Sequence, residues 1–217
     1  MRTIVLLTQK GGAGKTTLAA SLSIAAAAAG ERVIALDLDP QNSLMDWAER
    51  RSEDNPLPIA IDAIPAQQLP KLRALLEALE SEGYTVAILD TPGVNTPATG
   101  IAMEAASLCL IPTQPTVIDL AATTPTWESV VRLGKQKSAA FLLNRCPTHT
   151  KASRTAEAAQ GLKALGVLAE PPITQRTDHQ DAIAEGVGVT EYAPAGKAAE
   201  EITALWKWIN KRTKERR

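Results

Sequence analysis

Short runs of apolar residues alternate along the chain with longer segments in which apolar and polar residues repeat at helical spacing. Continuous apolar runs of this length are typical of strands buried on both faces of a parallel sheet. The predicted strands span residues 3–8, 32–37, 59–64, 84–89, 108–112, 139–144 and 167–173. The last of these is expected at the sheet edge, because Pro171 and Pro172 interrupt it.

Helices are predicted between these strands. They span residues 16–29, 42–51, 69–81, 98–107, 118–133 (mainly helical), 155–165, 180–185 and 194–214. Strands that alternate with helices along the whole length predict an α/β fold, with a mostly parallel twisted sheet and helices on both faces. We see no internal repeat and no break in composition, so residues 1–217 are predicted to form a single domain.

Bulk charge predicts no partner, because the formal net charge is -1, but the charge is unevenly distributed. Residues 207–217 hold six basic residues and one acid, so this predicted helix end carries about +5. The rest of the chain therefore carries about -6. An anionic partner and a solvated helix end are both compatible with this pattern.

The two cysteines, Cys109 and Cys146, are far apart and form no CxxC motif. We therefore expect buried free thiols and neither a disulfide framework nor a zinc site. The chain opens on a strand-like run that does not resemble a signal peptide, and the alanine-rich run 24–29 is too short for a membrane span. The expected location is cytoplasmic.

The segment 10–17 carries the clearest chemistry. It reads Lys-Gly-Gly-Ala-Gly-Lys-Thr-Thr between a predicted buried strand and a helix, which is the context of a phosphate-binding loop. Its glycines let backbone N–H groups converge on phosphate oxygens, Lys15 supplies charge for the β- and γ-phosphates, and the Thr16 hydroxyl can ligate Mg²⁺. The predicted nucleotide-binding residues are Gly11, Gly12, Ala13, Gly14, Lys15, Thr16 and Thr17.

This loop departs from the common P-loop pattern, because Gln9 stands at the first glycine position and Lys10 follows it. The resulting KGGxGKT sequence resembles the signature of the deviant Walker A ATPases. The resemblance implies an ATP-dependent homodimer in which Lys10 reaches the partner's nucleotide and neutralises charge that develops on the phosphates. It also implies ATP as the nucleotide, and the chain has no NKxD guanine motif.

Two aspartates, Asp37 and Asp39, end the second buried strand, and strand alternation places them on one face at the ligand-binding edge of the sheet. They resemble the DxDPQ motif of the same family. That motif implies that Asp39 orients or activates the hydrolytic water and that Asp37 supports the metal site. Asp39 could also cap the following helix, and the two roles are compatible.

Two further strand ends complete the predicted site. Asp90 follows an apolar strand as in a Walker B motif and is predicted to hold Mg²⁺ through water. Asn144 ends a later strand, and the family resemblance implies that it hydrogen-bonds the adenine edge; the alternative is an ordinary turn residue. Lys10, Lys15 and Asp39 are therefore the predicted catalytic residues, and Thr16, Asp37 and Asp90 the predicted metal site.

Nearly the whole chain resembles small ParA-type partition ATPases, including the stretches 173–176 and 182–202. Cys109 lies within a predicted strand, which disfavours a nitrogenase-type iron–sulfur site, and no acceptor pocket for a P-loop kinase or ligase is indicated. A MinD-type membrane-associated positioning ATPase is the alternative. Its amphipathic membrane helix would correspond to the apolar face of the last helix, which we expect to dock on the sheet instead. That face consists of Ile202, Leu205, Trp206 and Ile209.

The ParA resemblance implies a cycle in which ATP closes the dimer, the dimer binds non-specific DNA, and a ParB-type adaptor or centromere-binding protein stimulates hydrolysis. The expected location is then nucleoid-associated, with no membrane partner. No helix-turn-helix domain is expected before the phosphate loop, so sequence-specific operator binding is not predicted. Candidate DNA contacts are Arg176, Lys207, Lys211, Arg212, Lys214, Arg216 and Arg217.

Overall fold

The structure, a computed structural model, describes residues 1–52, 55, 57–148 and 152–215. Six strands form one sheet in the order β3-β2-β4-β1-β5-β6, and every neighbouring pair is parallel. The strands are β1 (Arg2–Leu6), β2 (Val33–Asp37), β3 (Ala60–Ala63), β4 (Val86–Asp90), β5 (Leu108–Thr113) and β6 (Ala139–Leu143). The predicted α/β fold with a parallel sheet is confirmed.

Helices cover both faces of this sheet. They are α1 (Lys15–Ala28), α2 (Ser43–Arg50), α3 (Leu72–Ser81), α4 (Pro97–Ala105), α5 (Val117–Ala121), α6 (Thr124–Arg132), α7 (Ala152–Leu165), α8 (Asp178–Ala184), α9 (Val189–Tyr192) and α10 (Lys197–Lys214). Side chains along β1 and just after it alternate between two cores. Ile4 and Leu6 pack with α1 and α10, while Val5 and Leu7, the residue after β1, pack with α3, α4 and α7. A strand with both faces buried must be apolar throughout, which explains the continuous runs.

The edge strand predicted over residues 167–173 is wrong. Only two single bridges form here, from Leu168 to Phe141 and from Thr174 to Cys146. Pro171 and Pro172 lie between the two bridges and have no N–H group to donate to a ladder, so the segment follows β6 without becoming a strand.

Helix boundaries differ from the sequence predictions where prolines occur. The predicted helix over 69–81 starts as a 3₁₀ turn, Leu69–Lys71, which contains Pro70. The predicted helix over 118–133 is two helices, α5 and α6, and Pro125 lies in the first turn of the second. Proline suits a helix start because the N–H group it lacks would have no helical partner there.

Candidate functional site

The phosphate loop joins the carboxyl end of β1 to the start of α1. Gly12 and Gly14 have φ angles of 77° and 89°, a left-handed region in which side chains other than glycine are strained. Gly14 directly precedes the first turn of α1, so the backbone amides of this turn face the space above the sheet. An anion placed there would meet the N-terminus of a 14-residue helix.

Lys15 and Thr16 connect this loop to the end of β4. The Thr16 hydroxyl donates to Oδ2 of Asp90 at 2.5 Å, while Oδ1 of Asp90 is buried without a hydrogen-bond partner. Burial raises the pKa of Asp90 to about 7, and the Thr16 bond and the Lys15 charge only partly oppose it. Burial likewise lowers the pKa of Lys15, against the charges of Asp90 and Asp39.

The unpartnered oxygen of Asp90 is an observation that fits a divalent cation. A carboxylate oxygen and a neighbouring threonine hydroxyl are ligands suited to Mg²⁺. A cation would also supply the positive charge needed to stabilise the ionised form of this buried carboxyl group. Asp90 is 1% exposed, so only a small ion or its bound water could reach it. The structure thus brings the predicted metal-site residues Thr16 and Asp90 together, and their role with Mg²⁺ stays a prediction.

Asp37 has a structural task in this fold. Its Oδ1 accepts from the N–H of Asp39, and its Oδ2 accepts from the N–H groups of Leu44 and Met45 in the first turn of α2. Both oxygens therefore accept from backbone amides that hold the start of α2, and the predicted support of the metal site by Asp37 stays a prediction. Burial raises the pKa of Asp37, and these backbone bonds oppose the rise.

Asp39 does not cap α2, so the alternative role considered for it is wrong. Its Oδ1 accepts from the N–H of Gln41, two residues on, and its side chain is half-buried at the edge of a cleft. The cleft measures about 790 Å³. Its lining includes Gly11, Gly12, Gly14, Lys15, Thr16, Thr17, Asp39, Gly93, Val94 and Arg145. Most of the predicted loop residues and the predicted catalytic carboxylate therefore share one cleft.

Asn144 lies against the phosphate loop and lines a smaller cavity beside Gly14, outside the lining of the cleft. Its Nδ2 donates to the carbonyl of Ala13 at 2.8 Å, which fixes the orientation of the amide and leaves Oδ1 as its acceptor. The next residue, Arg145, is exposed, has a φ of 53° and lines both the cleft and a smaller cavity beside Gly14. Sequence reasoning missed Arg145, although its position directly after Asn144 was a usable signal.

Lys10 forms an ion pair with Asp119 at the start of α5. Asp119 was also missed, because 109 residues separate the two side chains in sequence. The only local signal was Thr116, whose hydroxyl caps α5 by accepting from the N–H of Asp119 at 3.1 Å. The pair ties Lys10 to α5, and the Lys10 side chain is 35% exposed.

The candidate DNA-contacting residues that the structure describes do not all lie in one patch. Arg176 lies at the carboxyl edge of the sheet, where it pairs with Glu201 at 2.9 Å. Arg212 lies at the amino edge, where it donates to the carbonyl of Lys137, just before β6. The exposed candidates at and before that end of α10 are Lys207, Lys211 and Lys214, and Arg216 and Arg217 fall outside the described residues.

The apolar face of α10 is docked, as predicted. Ile202, Leu205 and Ile209 are fully buried and Trp206 is 2% exposed, in the core that also contains α1. Among the described residues, no helix has both the length and the apolar character needed to cross a bilayer. Cys109 and Cys146 are buried free thiols, also as predicted.

Comparison with known proteins identifies the family. The model of the VirC1 protein family matches residues 1–193. The chain belongs to the VirC1 family of ParA-type partition ATPases. A VirC1 protein from Rhizobium radiobacter is 29% identical over 175 residues, which cover 79% of this chain and 76% of the relative.

Other relatives of this VirC1-family chain belong to positioning systems. The maintenance of carboxysome distribution protein A of Gloeobacter kilaueensis is 34% identical over 211 residues, covering 96% of this chain and 92% of the relative. Among solved structures, the cell division ATPase MinD of Pyrococcus furiosus superposes with a TM-score of 0.77 at 22% identity, over 97% of this chain and 98% of that one. The superposition confirms the P-loop fold, and the relatives place the chain among partition and positioning ATPases.

Proposed function

We propose that this chain is an ATP-driven partition or positioning ATPase that dimerises around ATP, binds DNA without sequence preference and hydrolyses ATP when a partner protein stimulates it. The observation that carries the proposal is that Lys15, Thr16 and Asp90 lie together at the phosphate loop, which also holds Lys10. The described elements share one sheet, which supports a single ATPase domain.

Each residue of the site has a proposed task. Lys15 and the loop amides hold the β- and γ-phosphates, and Thr16 and Asp90 hold Mg²⁺, which when bound neutralises charge on the phosphate oxygens. Asp39 orients the water that attacks the γ-phosphorus and accepts its proton as ADP leaves. Lys10 of the second subunit neutralises the charge that develops during this transfer.

Asn144 is proposed as the base-contacting residue. Its Nδ2 uses one N–H on the carbonyl of Ala13, so its second N–H and its Oδ1 remain for a ligand. An amide oxygen accepts from the exocyclic amine of adenine but not from the carbonyl at the same position of guanine. Since the second N–H of Asn144 could donate to that guanine carbonyl, ATP is proposed from the family resemblance and the lack of an NKxD motif.

The proposed cargo is either DNA or a protein assembly, because VirC1-family and carboxysome-distribution relatives both match the chain. The proposed partner is a ParB-type adaptor or centromere-binding protein, and binding to DNA would make the chain nucleoid-associated. A MinD-type membrane role gains no support from α10, because its apolar face is buried in the core.

The test is binding of the purified protein to a labelled non-specific DNA duplex, measured by fluorescence anisotropy with ATP, with ADP and without nucleotide at two salt concentrations. We expect binding only with ATP, weakened by salt because phosphate contacts release counterions. Lys211→Glu combined with Lys214→Glu should weaken it, whereas Lys197→Glu, at the other end of α10, serves as the matched control. Absence of DNA binding in every state would contradict the DNA part and direct the next measurement to liposomes.

A further inference from the structure

The turn that opens α5 holds Lys10 within its own subunit. Oδ1 of Asp119 pairs with Lys10, and Oδ2 accepts from the hydroxyl of Thr116. Because the N–H of Asp119 also donates to Thr116, the carboxylate is fixed in orientation by its own turn. Both oxygens of Asp119 thus have a partner. Thr116 belongs to the same turn as Asp119, whereas Lys10 belongs to the phosphate loop.

The electrostatics show that this contact favours the charged form of Asp119. Burial opposes ionisation, but the bonds from Lys10 and Thr116, with the nearby charges of Lys10 and Arg145, outweigh it and lower the pKa of Asp119. The Asp119 side chain is 11% exposed and that of Lys10 is 35% exposed, so the pair is partly shielded from water. A partly shielded pair is stronger than a fully solvated one and can still be exchanged for a new partner.

The same turn presents two exposed apolar side chains. Val117 is 84% exposed and Ile118 is 76% exposed, the highest values among the large apolar side chains of the described residues. Both stand immediately before Asp119 in sequence. Adjacent exposed apolar residues beside a functional charge are typical of a protein–protein interface, whereas isolated ones are ordinary.

We propose that the turn formed by residues 116–119 docks against a second copy of this chain, and that Asp119 is a positioning residue that retains Lys10 until docking occurs. The inference rests on the proposed function, in which Lys10 serves the partner's nucleotide. The surface around Lys10 must then face the second copy, and Val117 and Ile118 are part of that surface.

The arrangement explains why ATP, rather than ADP, would close the dimer. Lys10 leaves one carboxylate only for a site of greater negative charge, and a γ-phosphate supplies that charge while ADP lacks it. Desolvation of the turn by Val117 and Ile118 strengthens the new contact at the moment when it forms. Asp119 therefore raises the protein concentration needed for dimerisation.

Asp119→Asn tests the retention of Lys10. We would measure the concentration at half-dimerisation by sedimentation velocity, with a non-hydrolysable ATP analogue and with ADP. Each Lys10–Asp119 pair is expected to favour the monomer by a factor of about three, and a dimer forms from two such monomers. Loss of both pairs therefore predicts half-dimerisation at a roughly tenfold lower concentration with the ATP analogue. Asp119→Glu, which keeps the charge, should remain near wild type. A variant with a damaged fold would dimerise more weakly. A dimer that becomes stronger in Asp119→Asn therefore indicates release of Lys10 and not a structural defect.

Ile118→Ser tests the docking surface. It should raise the half-dimerisation concentration at least about tenfold, because a buried interface side chain is lost. Leu165→Ser, at another exposed apolar side chain that is 55% exposed at the end of α7, is the matched control. Thermal unfolding of each variant checks that the monomer is intact.

The outcomes separate the two proposals. A wild-type chain that stays monomeric with the ATP analogue at every concentration would refute the proposed dimeric function. A wild-type chain that dimerises, with Asp119→Asn unchanged or weaker, would overturn the retention of Lys10. A dimer that is unaffected by Ile118→Ser would show that another surface docks the second copy and would overturn the docking proposal.

Discussion

Asp90→Asn should stabilise the nucleotide-free protein in a pH-dependent way. In the folded chain Asp90 is buried, accepts one hydrogen bond from Thr16 and leaves Oδ1 unpartnered. Its pKa rises from the ordinary 3.8 to about 7 because burial penalises the charge. An asparagine has nearly the same shape and still accepts from Thr16, but it carries no charge to bury.

The direction of the pH dependence follows from the number of protons that the folded and unfolded states bind. With a raised pKa, folded Asp90 holds its proton at pH values where the unfolded chain has released it, so its contribution to stability falls as pH rises from about 4 to about 7. One pKa unit corresponds to about 1.4 kcal/mol, so the full cost above neutral pH is at most roughly 4 kcal/mol. Losing the charge-assisted bond to Thr16 offsets about 1 kcal/mol, which leaves a net gain of roughly 2–3 kcal/mol at pH 8.

The assay is urea denaturation in EDTA, without nucleotide, at pH 5 and pH 8. The increase in the free energy of unfolding caused by Asp90→Asn should be about 2 kcal/mol larger at pH 8 than at pH 5. At pH 5 folded Asp90 is largely protonated, so much of the cost of burying its charge is absent. Asp62→Asn, at an exposed aspartate of β3, is the control and should show no such difference. Equal gains at both pH values, or destabilisation at pH 8, would refute the argument. Mg²⁺ with ATP should stabilise the wild type and not Asp90→Asn.

Three other substitutions address the rest of the site. Lys15→Ala should weaken ATP binding by at least about 100-fold in calorimetry, and retained tight binding would contradict the phosphate-loop assignment. Asp39→Ala should bind ATP yet hydrolyse it at least about 100-fold more slowly in a phosphate-release assay, and normal turnover would exclude its role with water. Gly14→Ala should cost about 1–3 kcal/mol in denaturation, because φ is 89° and the new Cβ would lie 2.5 Å from Nδ2 of Asn144. Gly100→Ala, in α4 with open space around it, is its control and should be neutral or stabilising.

Local sequence predicts those parts of this fold that depend on neighbouring residues. The buried strands, the phosphate loop and the carboxylates at the strand ends all follow from short patterns, because a strand buried on both faces must be apolar and a phosphate loop needs glycines. The task of Asp37 could not be read in this way. Two aspartates two residues apart look equivalent in sequence, yet only the path of the chain into α2 decides which one meets the helix amides.

Contacts between distant segments are the part that sequence reasoning could not supply. Lys10 was recognised, but its partner Asp119 lies on an element that only the β1–β5 pairing brings near. The basic candidates also looked like one group, although Arg176 and Arg212 lie at opposite edges of the sheet. Arg176 lies beside the start of α10 and Arg212 lies near its end, and a helix of 18 residues separates the two positions. Positions in the sequence therefore did not show that these charges belong to different surfaces.

The packing of α10 on α1 has a mechanical consequence. Strands of five residues are about 17 Å long, so a ligand at the basic end of α10 would lie beyond direct reach of the phosphate loop. Helix α1 spans that distance: its first residue is Lys15, and beyond its far end Glu31 binds Arg2, which also holds Asn210 of α10. Its alanine-rich body leaves little space for sliding. We therefore expect α1 and α10 to move as one body, so that a displacement of the phosphate loop would reach the basic end of α10.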